Sequence, residues 1–366
     1  MTLSKVYFTN FHTTPRENIL QKLGRLMKRA GFDKIHFANR FAAIKIHFGE
    51  AGNLAFCRPN YIKVIVDQVR ANGGDAFLTD CNTLYVGKRK NALDHLATAY
   101  ENGFTPFSTG CHILIGDGLK GIDDVSVPVN GRYVKEAKIG RAIVDSDILI
   151  TVTHFKMHEL VGVGGTIKNI GMGCGSRAGK MEMHSSGKPT VDQNVCIGCG
   201  SCVKNCAHNA ITVTKKKAAI DHAKCVGCGR CIGSCPVDAA QPDFDAAFEI
   251  TCHKIVEYTK AALSDKPAFH LSFLCDISPF CDCHSENDIP VVPNIGILAS
   301  FDPVAIDVAA TDLVNNQKVT AGSILDGKKT TGDYFHDVHP TTNWRAVTDY
   351  AVEFGLGSDK YELIEI

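Results

Sequence analysis

Short runs of apolar and β-branched residues alternate along the chain with stretches of helical apolar spacing. Lys5–Thr9 has the alternation of a strand, Arg16–Ala30 the spacing of an amphipathic helix, and Ala42–Phe48 reads as a second strand carrying polar Lys45 and His47. Pro59–Ala71 is helical up to the Gly73-Gly74 stop, Ala76–Thr79 is a strand, and Asn91–Asn102 is another helix. Ile113–Ile115, Ala142–Val144 and Ile148–Val152 add strands, and the pattern resumes at Ala268–Leu274 and Ile295–Ser300. Strands separated by helices predict an α/β fold whose parallel or mixed sheet carries helices on both faces.

The stretch from Pro189 to Asp243 breaks this rhythm, being crowded with Cys and Gly and short of long helical periodicity. It repeats at a period of 29: Cys196, Cys199, Cys202 and Cys206 map onto Cys225, Cys228, Cys231 and Cys235, and Asp192 onto Asp221. Two copies of one loop–helix unit are therefore expected. The division this predicts is an α/β host in two parts, 1–188 and 244–366, interrupted by a small α+β unit over 189–243. Helical spacing over Phe244–Leu263 leads back to the host.

Each copy reads Cys-x2-Cys-x2-Cys-x3-Cys, a spacing that lets three thiolates on a tight loop reach three corners of one iron–sulfur cube. Paired Cys-x2-Cys motifs also build zinc ribbons, but zinc needs four ligands per site, and the third close cysteine and the duplication suit two cubes better. The repeat resembles the bacterial two-cluster ferredoxins. That resemblance implies two 4Fe-4S clusters with crossed ligation, one on Cys196, Cys199, Cys202 and Cys235, the other on Cys225, Cys228, Cys231 and Cys206. Gly198, Gly200, Gly227 and Gly229 suit loops that bring backbone N–H groups to sulfur. Pro236 follows the last cysteine as in those ferredoxins, whereas Ala207 stands at the matching place in the first copy. The Lys215–Lys217 run reads as a solvated hairpin tip or a docking point for an acidic redox partner.

Composition narrows the setting. Among 366 residues, 39 Lys and Arg balance 39 Asp and Glu, so no basic field argues for nucleic acid. Met1–Phe11 lacks the apolar run of a secretory signal, and the most apolar stretches, Arg141–Val152 and Ile289–Phe301, are too short or too interrupted to span a membrane. Cytoplasm is the expected location. Sixteen cysteines in that compartment point to metal or redox chemistry rather than a disulfide framework.

Four further blocks stand out in the host. They are His154-Phe155-Lys156-Met157-His158, then Gly164-Gly165-Thr166-Ile167-Lys168-Asn169-Ile170-Gly171-Met172-Gly173-Cys174, then Cys281-Asp282-Cys283, and Asp302-Pro303-Val304-Ala305-Ile306-Asp307. Together they resemble the DUF362 family, and the cysteine repeat between the second and third blocks is similar to a subgroup of it. The resemblance implies an α/β host and iron–sulfur clusters, with no substrate attached. The His/Lys/Gly block also resembles lactate-racemase-type proteins.

From the residues themselves, Gly162–Gly179 reads as a flexible loop with seven glycines, either a linker or an anion cradle involving Lys168, Arg177 and Lys180. His154 and His158, four apart, share a face if helical, and with His184 can bind a metal or relay protons, or serve as hydrogen-bonded structural histidines. Cys281 and Cys283, near His284 and Cys275, admit three readings: a further metal site, a redox-active thiol pair, or merely reduced thiols. Asp302 before Pro303 is a helix N-cap. Lys45, His47 and Glu50 sit where a strand feeds a loop, and Cys57, Cys81, Cys111, Cys174 and Cys252 read as buried thiols.

The expected function is an iron–sulfur oxidoreductase whose clusters exchange electrons with a host site built from His154, His158, Lys168, Cys281 and Cys283. Lys168 would hold an anionic small molecule, and a further metal or a flavin in the host is a second cofactor option. A non-enzymatic electron carrier and a non-redox metal-dependent isomerase with structural clusters are the alternatives.

Overall fold

A computed structural model describes residues 3–84, 87–184, 187–243, 248–264 and 266–366. Its centre is an eight-stranded sheet made of β1 (Ser4–Asn10), β2 (Phe41–Ile46), β3 (Asp75–Asp80), β4 (His112–Ile115), β5 (Ile148–His154), β6 (Ala268–Leu274), β7 (Gly296–Ser300) and β8 (Tyr361–Glu365). The order across the sheet is β8-β1-β7-β6-β5-β2-β3-β4. All pairs are parallel except those made by β7, which runs against β1 and β6. The fold is thus the mixed α/β arrangement that the alternating pattern predicts.

Strand alternation decides which side chains meet which helices. Ile44 and Ile46 of β2 and Ile150 and Val152 of β5 turn to one face, where Leu23 and Leu26 of helix Ile19–Ala30 and Ile62 and Ile65 of helix Pro59–Ala71 cover them. Ala43 and Leu149 turn to the other face, against Ile167 and Ile170 of helix Thr166–Cys174 and Ile255 and Val256 of helix Phe248–Leu263. Lys45, flanked by Ile44 and Ile46, is therefore delivered to this second face. Helix Pro303–Asn315 packs against the adjoining strands, capped as expected by Asp302, whose Oδ1 accepts from the N–H groups of Val304 and Ala305. No helix among the described residues is long and apolar enough to cross a membrane.

Two local expectations fail. Ala142–Val144 belongs to a helical turn, Arg141–Val144, with Asp145 N–H donating to Arg141 O; a short apolar run does not separate strand from helix. Gly162–Gly179 is ordered as strand Gly162–Gly164, helix Thr166–Cys174 and the start of helix Arg177–His184. Its glycines make room rather than supply motion. A Cβ at Gly173 would stand on the Lys45 ammonium, one at Gly164 would meet the Lys156 stem at 2.8 Å, and one at Gly165 the Asp307 carboxyl at 2.6 Å. The helical spacing expected from Phe244 runs over Phe248–Leu263; residues 244–247 lie outside those described.

The cysteine-rich segment forms a small lobe. Pro189–Val191 pairs with Ala240–Pro242, a hairpin joins Ile211–Thr214 to Lys217–Ile220 with Lys215 and Lys216 at its tip, and short helices follow each cysteine loop at Ser201–Asn205 and Arg230–Ser234. Its core of Ile211, Ala218, Ile232 and Ala239 is completed by Leu84 and Met181, which come from outside the segment.

Candidate functional site

The chain moves outward from β2 to β3 and β4, then returns past β2 to β5 and continues to β6. Between β2 and β5 the connections leave in opposite directions, and the carboxyl ends of parallel strands at such a point form a crevice. Here it is a narrow cleft whose walls include Lys45, Asp80, Lys156, Lys168, Asn169 and Lys180. Lys45 Nζ lies 3.0 Å from Asp80 Oδ1 and 2.7 Å from Asn169 Oδ1, and Lys180 Nζ donates to the Gly175 carbonyl at 2.6 Å. Arg89 bonds Glu50 Oε2 at 2.9 Å and stands 2.9 Å from His47 Nε2. Burial presses His47 down to about 3, leaving it neutral at ordinary pH. Burial alone would raise the Asp80 carboxyl, but Lys45 and the neighbouring histidines hold it well below the carboxylate range. The cationic side chains on these walls outnumber the carboxylates.

Asp282 is the hub behind the cleft. Its side chain is fully buried, it pairs with Lys156, and its Oδ2 lies 3.4 Å from His47 Nδ1 and 3.5 Å from His154 Nδ1. Burial opposes its charge, yet Lys156 foremost and the two histidines keep it ionised, well below the usual value. His154 Nε2–H donates to the Cys275 carbonyl at 2.8 Å. Asp307, behind Gly165, accepts from the N–H groups of Thr166 and Ile167 at 2.6 and 2.9 Å, so it fixes the start of the helix that carries Lys168; burial lifts its carboxyl to about 6.

Cys281 and Cys283 are both buried beside His158, and a nitrogen of His158 and the two sulfurs lie within 4.8 Å of one another. By proximity this is a possible metal-binding group, as is Glu159, Cys283 and His284. Lys168 Nζ is 3.6 Å from Cys281 Sγ, and the Cys283 N–H donates to that sulfur at 3.4 Å. Burial would raise the Cys281 thiol, but the Cys283 thiol as hydrogen-bond donor, then Lys168 and Lys156, bring it well below its ordinary range. Donating to Cys281, with burial, pushes Cys283 up.

In the lobe, two small hollows are lined by cysteines. One gathers Cys196, Cys199, Cys202 and Cys235; the other gathers Cys225, Cys228, Cys231 and Cys206. Each therefore draws three cysteines from one repeat and the fourth from the other. The loops match in backbone: Gly198 and Gly227 have φ of 67° and 73°, Gly200 and Gly229 of 74° and 68°. Ala210 N–H donates to Cys206 Sγ at 3.4 Å and Ala239 N–H to Cys235 Sγ at 3.2 Å, the same contact one repeat apart. Arg177, almost wholly buried, packs its guanidinium against Gly233 of the second repeat and donates to Lys120 O at 2.6 Å. Three residues along the same helix, Lys180 lines the host cleft.

The structure thus brings Lys168, His158, Cys281 and Cys283 together, with His154 one layer behind on Asp282. The helical pairing of His154 and His158 does not occur, because both lie in extended backbone, β5 and strand Lys156–His158. His184 is buried at the end of its helix, pressed down to about 3 by burial and then by Lys168 and His158. Cys275 contributes only its carbonyl; its thiol sits in the core on the opposite face. Cys57, Cys81, Cys111, Cys174 and Cys252 are all buried thiols, as expected. Lys45 and His47, secondary in the sequence, are cleft residues. Asp80 and Arg89 carry no motif in the sequence, and Asp282 stands out there only as the acid between two cysteines.

These features define a cysteine-rich α/β protein with a charged cleft and a candidate metal-binding group. Over residues 42–312 the sequence matches the family described as "Domain of unknown function (DUF362)", and the chain belongs to that family. No curated protein matches the sequence. Among solved structures it is similar to the lactate racemase apoprotein from Thermoanaerobacterium thermosaccharolyticum, at 9% identity over 98% of this chain and 82% of that one, TM-score 0.39. It is also similar to a Thermotoga maritima protein from a structural genomics consortium, at 11% identity over 78% of this chain, TM-score 0.36. The chain covers about half, 55%, of that structure's length. Likeness at this level concerns the fold alone.

Proposed function

We propose that this chain is a cytoplasmic iron–sulfur oxidoreductase in which residues 189–243 hold two 4Fe-4S clusters and the host parts, 1–188 and 244–366, hold the reacting molecule. The observation that carries this reading is the crossed sharing of cysteines between the two lobe cavities. Four thiols per cavity, glycine loops at positive φ and N–H donors to sulfur are the donor set and surroundings a cubane requires. When bound, such clusters supply one-electron transfer. Cys225, Cys228, Cys231 and Cys206 would hold the cluster nearer the host, where Arg177 and Met181 pack. The host cleft would take an anionic small molecule on Lys168 and its neighbouring cations, with Asp282, His47 and His154 fixing Lys156 in place. Lys215 and Lys216, at the hairpin tip, suit an acidic redox partner.

Anaerobic purification with iron, sulfide and zinc analysis tests this. About eight irons and eight sulfides per chain are expected. Cys206→Ser and Cys196→Ser should each cut the iron to about half, the first removing the cluster centred on Cys225–Cys231 and the second the other. Colourless, iron-free protein, or zinc in those positions, would overturn the reading.

A further inference from the structure

Cys281 and Cys283 sit in one tight turn, closed by the His284 N–H donating to the Cys281 carbonyl at 3.1 Å. Residues two apart in such a turn fall in the roughly 4.4–6.8 Å Cα range that a disulfide spans. The two sulfurs lie within 4.8 Å of one another, and the Cys283 N–H donates to Cys281 Sγ at 3.4 Å. Cys281 is out of contact with solvent, whereas Cys283 lines the host cleft, so one sulfur of the pair meets whatever enters.

His158 decides between a metal and a thiol pair. Its Nδ1 accepts from the backbone N–H groups of Leu160 and Val161 at 3.0 and 3.3 Å, which places the proton of the neutral ring on Nε2. Nδ1 has spent its lone pair on the backbone and Nε2 has a hydrogen in place of one. Neither nitrogen is free to bind a cation without breaking both backbone bonds. Nε2 is buried with no hydrogen-bond partner among the described residues, and one nitrogen of His158 lies within 4.8 Å of both sulfurs. Lys168, 3.6 Å from Cys281 Sγ, adds a positive charge. An ammonium beside two buried thiols favours the thiolate form.

We propose that Cys281 and Cys283 form a reversible dithiol–disulfide centre that opens onto the host cleft and exchanges with small-molecule disulfides. The assignment goes beyond the iron–sulfur reading and does not depend on it. The pair reacts with one proton between its two sulfurs. The proton passes from Cys283 to Cys281, and Cys283 thiolate attacks one sulfur of RSSR, breaking its S–S bond and releasing RS⁻. The released RS⁻ takes the proton from Cys281, which attacks Cys283 sulfur and expels the second RS⁻. The singly protonated pair and RSSR thus give the Cys281–Cys283 disulfide, RSH and RS⁻, two electrons having moved to RSSR.

The test uses the full chain, purified anaerobically, treated with 2-hydroxyethyl disulfide, quenched with N-ethylmaleimide and mapped by mass spectrometry. The expected result is loss of both alkylation sites in the peptide bearing Cys281 and Cys283, with a mass about 2 Da below the dithiol form, restored by dithiothreitol. Cys281→Ser should stop at a mercaptoethanol adduct on Cys283. Full alkylation of both residues after treatment would overturn the proposal. So would a stoichiometric zinc or iron, beyond the lobe's content, that Cys281→Ser removes. Mapping of the unaltered chain decides the matter even if the variant fails to fold, and iron and sulfide measured on the same samples report separately on the clusters.

Discussion

Replacing Asp282 by Asn isolates the buried charge that organises the site. The Asp282 side chain is 0% exposed and its partner Lys156 6%, so the ammonium would stay buried without its counter-charge. Removing one member of a buried pair costs about 3–5 kcal/mol, whereas exchanging both for packed apolar groups is often neutral or favourable. Asp282→Asn should therefore lower stability by about 3–5 kcal/mol, and adding Lys156→Met should return all but about 1–2 kcal/mol of it. The assay is urea unfolding followed by fluorescence of Trp344, the chain's one tryptophan, which shares a core with Phe155 and Met157 on either side of Lys156. The pH dependence has a definite sign. Asp282 is held below its ordinary value, so its contribution is complete above about pH 5 and fades as acid protonates it. The gap between wild type and Asp282→Asn should stay constant from neutrality to about pH 5 and close below that. A loss under about 1 kcal/mol, or a double variant as weak as the single, would refute the reasoning.

Two other outcomes are expected. Lys168→Ala should move the pH profile of Cys283 alkylation by iodoacetamide upward by about one unit while Lys168→Arg keeps it near wild type, since a cation beside the Cys281–Cys283 pair favours its thiolate form; an unmoved profile excludes that role. Gly233→Ala places a methyl on the Arg177 guanidinium and should cost about 1–3 kcal/mol, whereas Gly24→Ala, in helix Ile19–Ala30 with its nearest neighbour at 3.9 Å, should gain about 0.5–1 kcal/mol; thermal melts compare them.

Local patterns in the sequence carried furthest. Strand alternation around Lys45 and the run Ile148–Val152 reveal the sheet because side-chain direction follows residue spacing alone, and the cysteine repeat is visible because its spacing is its geometry. The glycines of the Gly164–Cys174 block misled for a physical reason. Counted along the chain they suggest flexibility, but each lies where a distant residue, Lys156, Asp307, Ile255 or Lys45, must pass close to the backbone. His154 and His158 misled likewise, since a spacing of four means a shared face only in a helix. The Asp282 network was out of reach: Asp282 lies in the loop after β6, while its partners His47, His154 and Lys156 come from the end of β2, from β5 and from strand Lys156–His158, and the strand order that unites them is not written in any one segment.

Pro189 and Pro242 stand opposite one another, so the cysteine-bearing lobe departs and rejoins the larger body at neighbouring points. A detour of this kind can be excised and the gap sealed by a few residues without disturbing any strand of the central sheet. What excision would lay bare is Leu84 and Met181, which now finish the lobe's interior. A shortened descendant would need hydrophilic replacements at those two places to remain in solution.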